Sequence, residues 1–77
     1  MSAYEEIIDF IASGPSTGAV AEFQATPEQK ARIADLLRRE KDGALNAEEK
    51  GELDHFSELE HLMRLAKARA RERLASA

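Results

Sequence analysis

Two pairs of residues in this chain have the spacing of metal chemistry. Glu52-x-x-His55 and Glu58-x-x-His61 each set a carboxylate and an imidazole three positions apart. Helical bundles use that arrangement to hold di-iron carboxylate centres. The copies start six residues apart on what reads as one helix, so they point about 120° apart around its axis. They cannot meet at one metal within a single chain, and only a dimer brings two copies together. Glu58 and His61 also project opposite the apolar side of that helix. Solvated polar residues are therefore the preferred reading.

The stretch Arg38-Arg39-Glu40-Lys41-Asp42-Gly43-Ala44-Leu45-Asn46-Ala47-Glu48-Glu49 invites comparison with a calcium loop. With Gly43 at the sixth loop position, Glu40, Asp42 and Glu49 fall at the third, fifth and twelfth. The first position must supply an oxygen ligand, and here it is Arg38. A cation there repels calcium, so the calcium reading is rejected. Other chemistry has less to stand on. The chain has no cysteine, which removes thiolate nucleophiles and thiolate metal sites. Ser13, Ser16, Ser57 and Ser76 have no evident His/Asp arrangement, no Gly-rich phosphate loop is present, and nothing selects one acid pair among many carboxylates. We expect no enzyme, no cofactor, no metal and no small-molecule substrate.

The net charge of −4 conceals a gradient. Residues 1–29 carry five acids and no Lys or Arg, and residues 30–63 carry nine acids against six bases. Residues 64–77 carry Arg64, Lys67, Arg69, Arg71 and Arg73 against Glu72 alone. An acidic head and a basic tail suggest contact between the ends, within or between chains, or a polyanion-binding tail. On a helix, Arg64, Lys67 and Arg71 form one row beside the apolar stripe, and Arg69 and Arg73 flank its other side. Long stems covering the edges of a buried seam are arranged this way, and so are phosphate contacts. The overall acidity and the lack of a nearby aromatic for base stacking favour the seam-edge reading over nucleic acid.

The elements that position these residues are helical. Tyr4, Ile7, Ile8 and Ile11 recur at i, i+3, i+4 and i+7, which predicts a short amphipathic helix from about Ala3 to Ala12. Ser13-Gly14-Pro15 stops it. Ser16 or Thr17 suits the cap of a helical turn or two over Gly18 to Phe23, with Val20 and Phe23 inward; an irregular, Phe23-pinned loop is the alternative. Thr26-Pro27-Glu28-Gln29 is a capping box with proline at the first helical position. Ile33, Leu36 and Leu37 mark the core face of the helix it starts, which should end near Lys41-Asp42-Gly43. Asn46 and Glu49 form a second capping box, with Leu45 placed to pack on the first turn as a hydrophobic staple. From there only Gly51 interrupts the pattern before about Ala75.

The last helix carries the broadest apolar surface. Phe56, Leu59, Met63, Ala66, Ala70 and Leu74 form a stripe about 80° wide, with Leu53 beside it. Leu62 and Leu65 lie outside the stripe and widen the apolar sector to about 180°. Such a width needs two covers. The Ile7/Ile8/Ile11 helix is one, and a second copy or another protein is the other. Ala66, Ala68 and Ala70 would permit close helix approach, or are simply good helix formers.

At 77 residues the chain is a single small domain, too short to bury a large core. Without disulfides, a partner subunit is the natural supplement. The acidic N-terminus does not resemble a secretory signal. No window approaches the roughly 20 apolar residues of a membrane span, so we expect a cytoplasmic protein with no membrane association.

Arg39-Glu40-Lys41-Asp42-Gly43-Ala44-Leu45, Glu48-Glu49-Lys50-Gly51-Glu52-Leu53 and Leu59-Glu60-His61-Leu62-Met63-Arg64-Leu65-Ala66-Lys67-Ala68-Arg69-Ala70 together resemble a family of small bacterial helical proteins. The shared pattern is REK-x-G-x-L-x-x-EE-x-x-EL … LEHLMRL-x-KARA, and the likeness covers residues 30–73. Some of those proteins look like the small partner in toxin–antitoxin-like gene pairs. The resemblance implies a protein-binding role and no catalytic residues. Asn46 stands where Ser or Thr is commoner, and all three are good caps.

These observations predict an all-α fold. A short N-terminal helix and an irregular segment (1–26) precede an antiparallel helical hairpin with a long second arm (27–75), completed by oligomerisation or a partner. The expected function is non-enzymatic protein interaction, as an antitoxin-like or regulatory partner. Leu59, Leu62, Met63, Leu65, Ala66, Ala70 and Leu74 are the expected interface, edged by Arg64, Lys67, Arg69, Arg71 and Arg73. A nucleic-acid-binding regulator using the basic helix and a self-assembling homodimer are the alternatives.

Overall fold

The computed structural model of the chain describes residues 4–76. It is all-α, with four helices: α1 Glu5–Ala12, α2 Thr17–Ala21, α3 Pro27–Lys41 and α4 Ala47–Ser76. At 1.5 Å per residue α4 is about 45 Å long. It therefore sets the long dimension of the molecule, whose extents are 48 × 21 × 19 Å. Ala3, where the sequence pattern starts the first helix, lies outside the described residues.

The helix ends follow local chemistry. Thr26 Oγ1 accepts from the Gln29 backbone N–H at 3.1 Å, and Gln29 Oε1 accepts from the Thr26 N–H at 2.7 Å. Asn46 and Glu49 repeat the exchange at the start of α4, at 2.8 and 3.1 Å. Each box satisfies two donors that a helix N-terminus otherwise leaves without partners. Gly14 and Gly43 adopt φ of 67° and 68°, the left-handed conformation that lets the chain leave α1 and α3. Residues 42–46 then return it antiparallel to α3. Two ion pairs hold the base of the hairpin: Arg32 on Glu52, bidentate at 3.0 Å, and Arg39 on Glu49 at 2.5 Å.

The core has two parts. Near the turn, Leu36, Leu45 and Leu53 are buried together, with Ile33 against them. Leu45 thus inserts between the two arms. Farther along, Ile7, Phe56 and Met63 form a second cluster, packed by Tyr4, Phe10, Val20, Phe23, Ile33 and Leu59. Ile33 belongs to both and makes the core continuous.

Of the two readings of the segment after Pro15, the structure has the helical one, over Thr17–Ala21: the Ser16 hydroxyl caps it by accepting from the Ala19 N–H at 3.1 Å. Its small residues let it lie with its backbone within 8 Å of α4, and Ala21 and Ala70 are both buried. Of the three alanines expected to permit close approach, Ala70 is buried and Ala66 half-buried, while Ala68 is exposed. Other expectations change. The inward side of α1 is Tyr4, Ile7 and Phe10, while Ile8 and Ile11 are 45% and 43% exposed. The helix is turned by roughly 50° from the predicted face, which lets Phe10 meet Phe23 at 4.6 Å and Tyr4 meet the His55 ring at 5.1 Å. Leu37 is 45% exposed, because it lies about 100° around α3 from the buried Leu36.

Candidate functional site

The separation of α3 and α4 opens a groove of about 530 Å³ on the side away from the hairpin turn. Its floor is apolar: Ile7, Phe23, Ile33, Phe56 and Met63. Leu37 and Ala34 line the α3 wall, and Glu60, Arg64 and Lys67 line the α4 wall. Lys30 adds a third cation from α3. The residues Phe23, Gln24 and Ala25, between α2 and α3, close one end. Phe23 is fixed there by Phe10 on one side and by a hydrogen bond on the other, since Lys67 Nζ donates to the Phe23 carbonyl at 2.7 Å. That bond ties the acidic N-terminal third to the basic helix. The concave shape, the apolar floor and a few polar groups at the rim are the general features of a binding cleft.

Of the interface residues expected from the sequence, several are already used within the chain. Met63 and Ala70 are buried, and Leu59 and Ala66 are half-buried. Leu62, Leu65 and Leu74 remain on the surface, at 51%, 58% and 49% exposure. Leu74 lies on the buried stripe but near the end of α4. Leu62 and Leu65 point to the opposite side of α4 from the groove. The expected single interface is thus divided: Met63 lies in the groove, Leu59, Ala66 and Ala70 are wholly or partly covered within the chain, and Leu62 and Leu65 lie on a separate outer face.

The basic residues divide in the same way. Arg64 donates to Glu60 at 2.8 Å at the groove rim, and Lys67 holds the Phe23 carbonyl. Arg69 lies 3.6 Å from Glu72, and Arg71 and Arg73 are exposed. The five cations therefore do not form one continuous patch. Nor do the Glu/His pairs converge: Glu52 is engaged by Arg32 and the His55 ring lies against Tyr4. Among the described residues no three His, Cys, Asp or Glu side chains are grouped to hold a metal ion. No helix among them is long and apolar enough to cross a membrane.

Ion pairing shifts four groups near the hairpin base. The hydrogen bond from Arg39, and then the Asn46 backbone N–H, hold the Glu49 carboxyl below its ordinary value. The Arg38 guanidinium, bonded to Asp35, does the same there, with Arg39 assisting. Arg32 and Arg39 are correspondingly raised by their bonds to Glu52 and Glu49. These groups brace the two arms and lie outside the groove.

Lys30, Ala34 and Leu37 were not among the site residues expected from the sequence. One signal points to them. Leu36 and Leu37 are adjacent, so they diverge by about 100° around the helix and cannot both face the same core. No protein-family model matches the chain, and no curated protein and no solved structure is significantly similar to it.

Proposed function

We propose that the protein is a non-enzymatic protein-interaction module that receives an apolar segment with acidic flanks in the α3–α4 groove. The observation that carries this reading is the groove itself, an apolar floor rimmed by Lys30, Arg64 and Lys67 with Glu60 as the one acid among them. An amphipathic helix or extended segment of a partner docks in such clefts through a few apolar anchors, and charge at the rim selects its flanks. The family resemblance supports the finer role of a small antitoxin-like or regulatory partner. The cysteine-free composition fits a reducing, cytoplasmic setting. Phosphate recognition has less support, because the floor of the groove is apolar and Glu60 stands at its rim.

The test is affinity capture from native lysate with the wild-type chain and a Leu37→Asp/Arg64→Glu variant. Both changed residues line the groove and are exposed, so the helical content should be unchanged by circular dichroism. A protein that co-purifies with the wild type and is lost from the variant supports the reading. Equal capture by both removes the groove from consideration. Nucleic acid as the retained species, with retention falling steeply as salt rises, would support the basic-helix alternative instead.

A further inference from the structure

The outer face of α4 carries six exposed residues in one row: His55, Glu58, Leu62, Leu65, Arg69 and Glu72. Their spacing alternates three and four residues, as in the seam of a coiled coil, and confines them to a band about 100° wide. The band lies roughly opposite the groove. The alternation reads the same in both directions, with its midpoint between Leu62 and Leu65. The residue types on either side of that midpoint are complementary. A second α4 laid antiparallel across it sets Leu62 against the partner's Leu65, Glu58 against the partner's Arg69, and His55 against the partner's Glu72.

We propose that this row is the seam of an antiparallel α4–α4 pair formed with a second copy of the chain. Charge complementarity selects the occupant and its direction. Glu58 and Arg69 are eleven residues apart, about 16 Å along the helix, so they cannot neutralise one another within one chain. A parallel pair would place Glu58 on Glu58 and Arg69 on Arg69. The antiparallel pair forms the Glu58–Arg69 layer twice, by symmetry. Among the described residues Arg69 has only an open contact to Glu72, at 3.6 Å with both side chains 74% exposed, and such surface pairs hold weakly. Single exposed leucines are ordinary. Here four of them converge into one apolar layer, closed on each side by an ion-pair layer. One apolar layer makes a reversible, concentration-dependent and salt-sensitive dimer. This association is independent of the groove, which lies on the other side of α4, so either reading can fail without the other.

Sedimentation equilibrium over a concentration series up to millimolar tests the proposal. The variants are Glu58→Arg, Arg69→Glu and the two changes combined, with circular dichroism to confirm that each is folded. The wild type should dimerise as concentration rises, and each single change should weaken self-association by more than about tenfold. The combined exchange should restore it. A mixture of the two single variants should form a heterodimer, since each supplies the charge the other lacks. A wild type that stays monomeric throughout overturns the proposal. So does a dimer indifferent to both charge reversals, or a combined variant that fails to recover.

Discussion

Adding one methyl group at two glycines should change stability in opposite directions. Gly51 lies in the second turn of α4, and a Cβ built there meets nothing within 4 Å. It would enter the shallow hollow of about 220 Å³ bounded by Tyr4, Glu48, Glu52 and His55. Glycine within a helix costs about 0.8–1.0 kcal/mol relative to alanine, so Gly51→Ala should stabilise the fold by about that amount. A Cβ at Gly43 also meets nothing, but there the backbone φ is +68°. An L side chain in that conformation costs about 1–2 kcal/mol, partly offset by a stiffer unfolded chain. Gly43→Ala should therefore destabilise by about 1 kcal/mol. For 77 residues the unfolding entropy is roughly 160 cal/mol/K. The expected shifts in Tm are then about +6 °C for Gly51→Ala and about −6 °C for Gly43→Ala. Thermal unfolding followed by circular dichroism, at one fixed protein concentration, measures both. A lower Tm for Gly51→Ala would mean that the hollow must stay open for Tyr4 to reach His55. An unchanged Tm for Gly43→Ala would mean that the turn does not depend on the left-handed residue.

Three further outcomes follow from packing and charge. Leu36 is fully buried between Leu45 and Leu53, so Leu36→Ala should cost about 3 kcal/mol, read as a lower urea midpoint. That is a large fraction of the roughly 4–12 kcal/mol expected for a chain of this size. Leu74→Ala, at a residue 49% exposed, should stay within about 0.5 kcal/mol. Glu49 is held below its ordinary pKa of 4.5 by Arg39. Its contribution is complete above that unfolded-state value and is lost as pH falls through the lower folded-state value. Glu49→Gln should therefore lower stability at neutral pH and flatten its loss on acidification. Urea midpoints at neutral and strongly acidic pH check this, and parallel curves for both proteins would contradict it.

The parts of the fold that were legible in the sequence are those decided within a few residues. Thr26 with Gln29 and Asn46 with Glu49 announce helix starts because each box is complete in four positions. Gly14 and Gly43 mark exits for the same local reason. What periodicity did not settle is how each helix turns about its own axis. Ile8 and Ile11 fit the apolar pattern of α1 as well as Phe10 does, and only the distant Phe23 and His55 decide between them. Leu37 looked like core because periodicity admits both Leu36 and Leu37 to one apolar face, although the two point about 100° apart. The candidate interface was half legible. Leu62 and Leu65 stood out as surplus to one stripe, whereas Met63 and Ala70 are taken by α1 and α2, whose contacts no local pattern records.

The groove and the outer row lie about 180° apart around α4, and this decides what a pair of chains is able to do. Two chains joined through their outer rows would hold their grooves back to back. Such an assembly cannot close both grooves on one short peptide, so it gains no avidity from a single binding motif. It would instead bridge two partner molecules, or two well-separated motifs on a long one, at a spacing set by the thickness of the paired bodies. A linker shorter than that span would leave the second site unused, and one matched to it would raise the effective concentration most. The valence of the assembly would then depend on protein concentration, because one-site monomers become two-site dimers as the concentration rises.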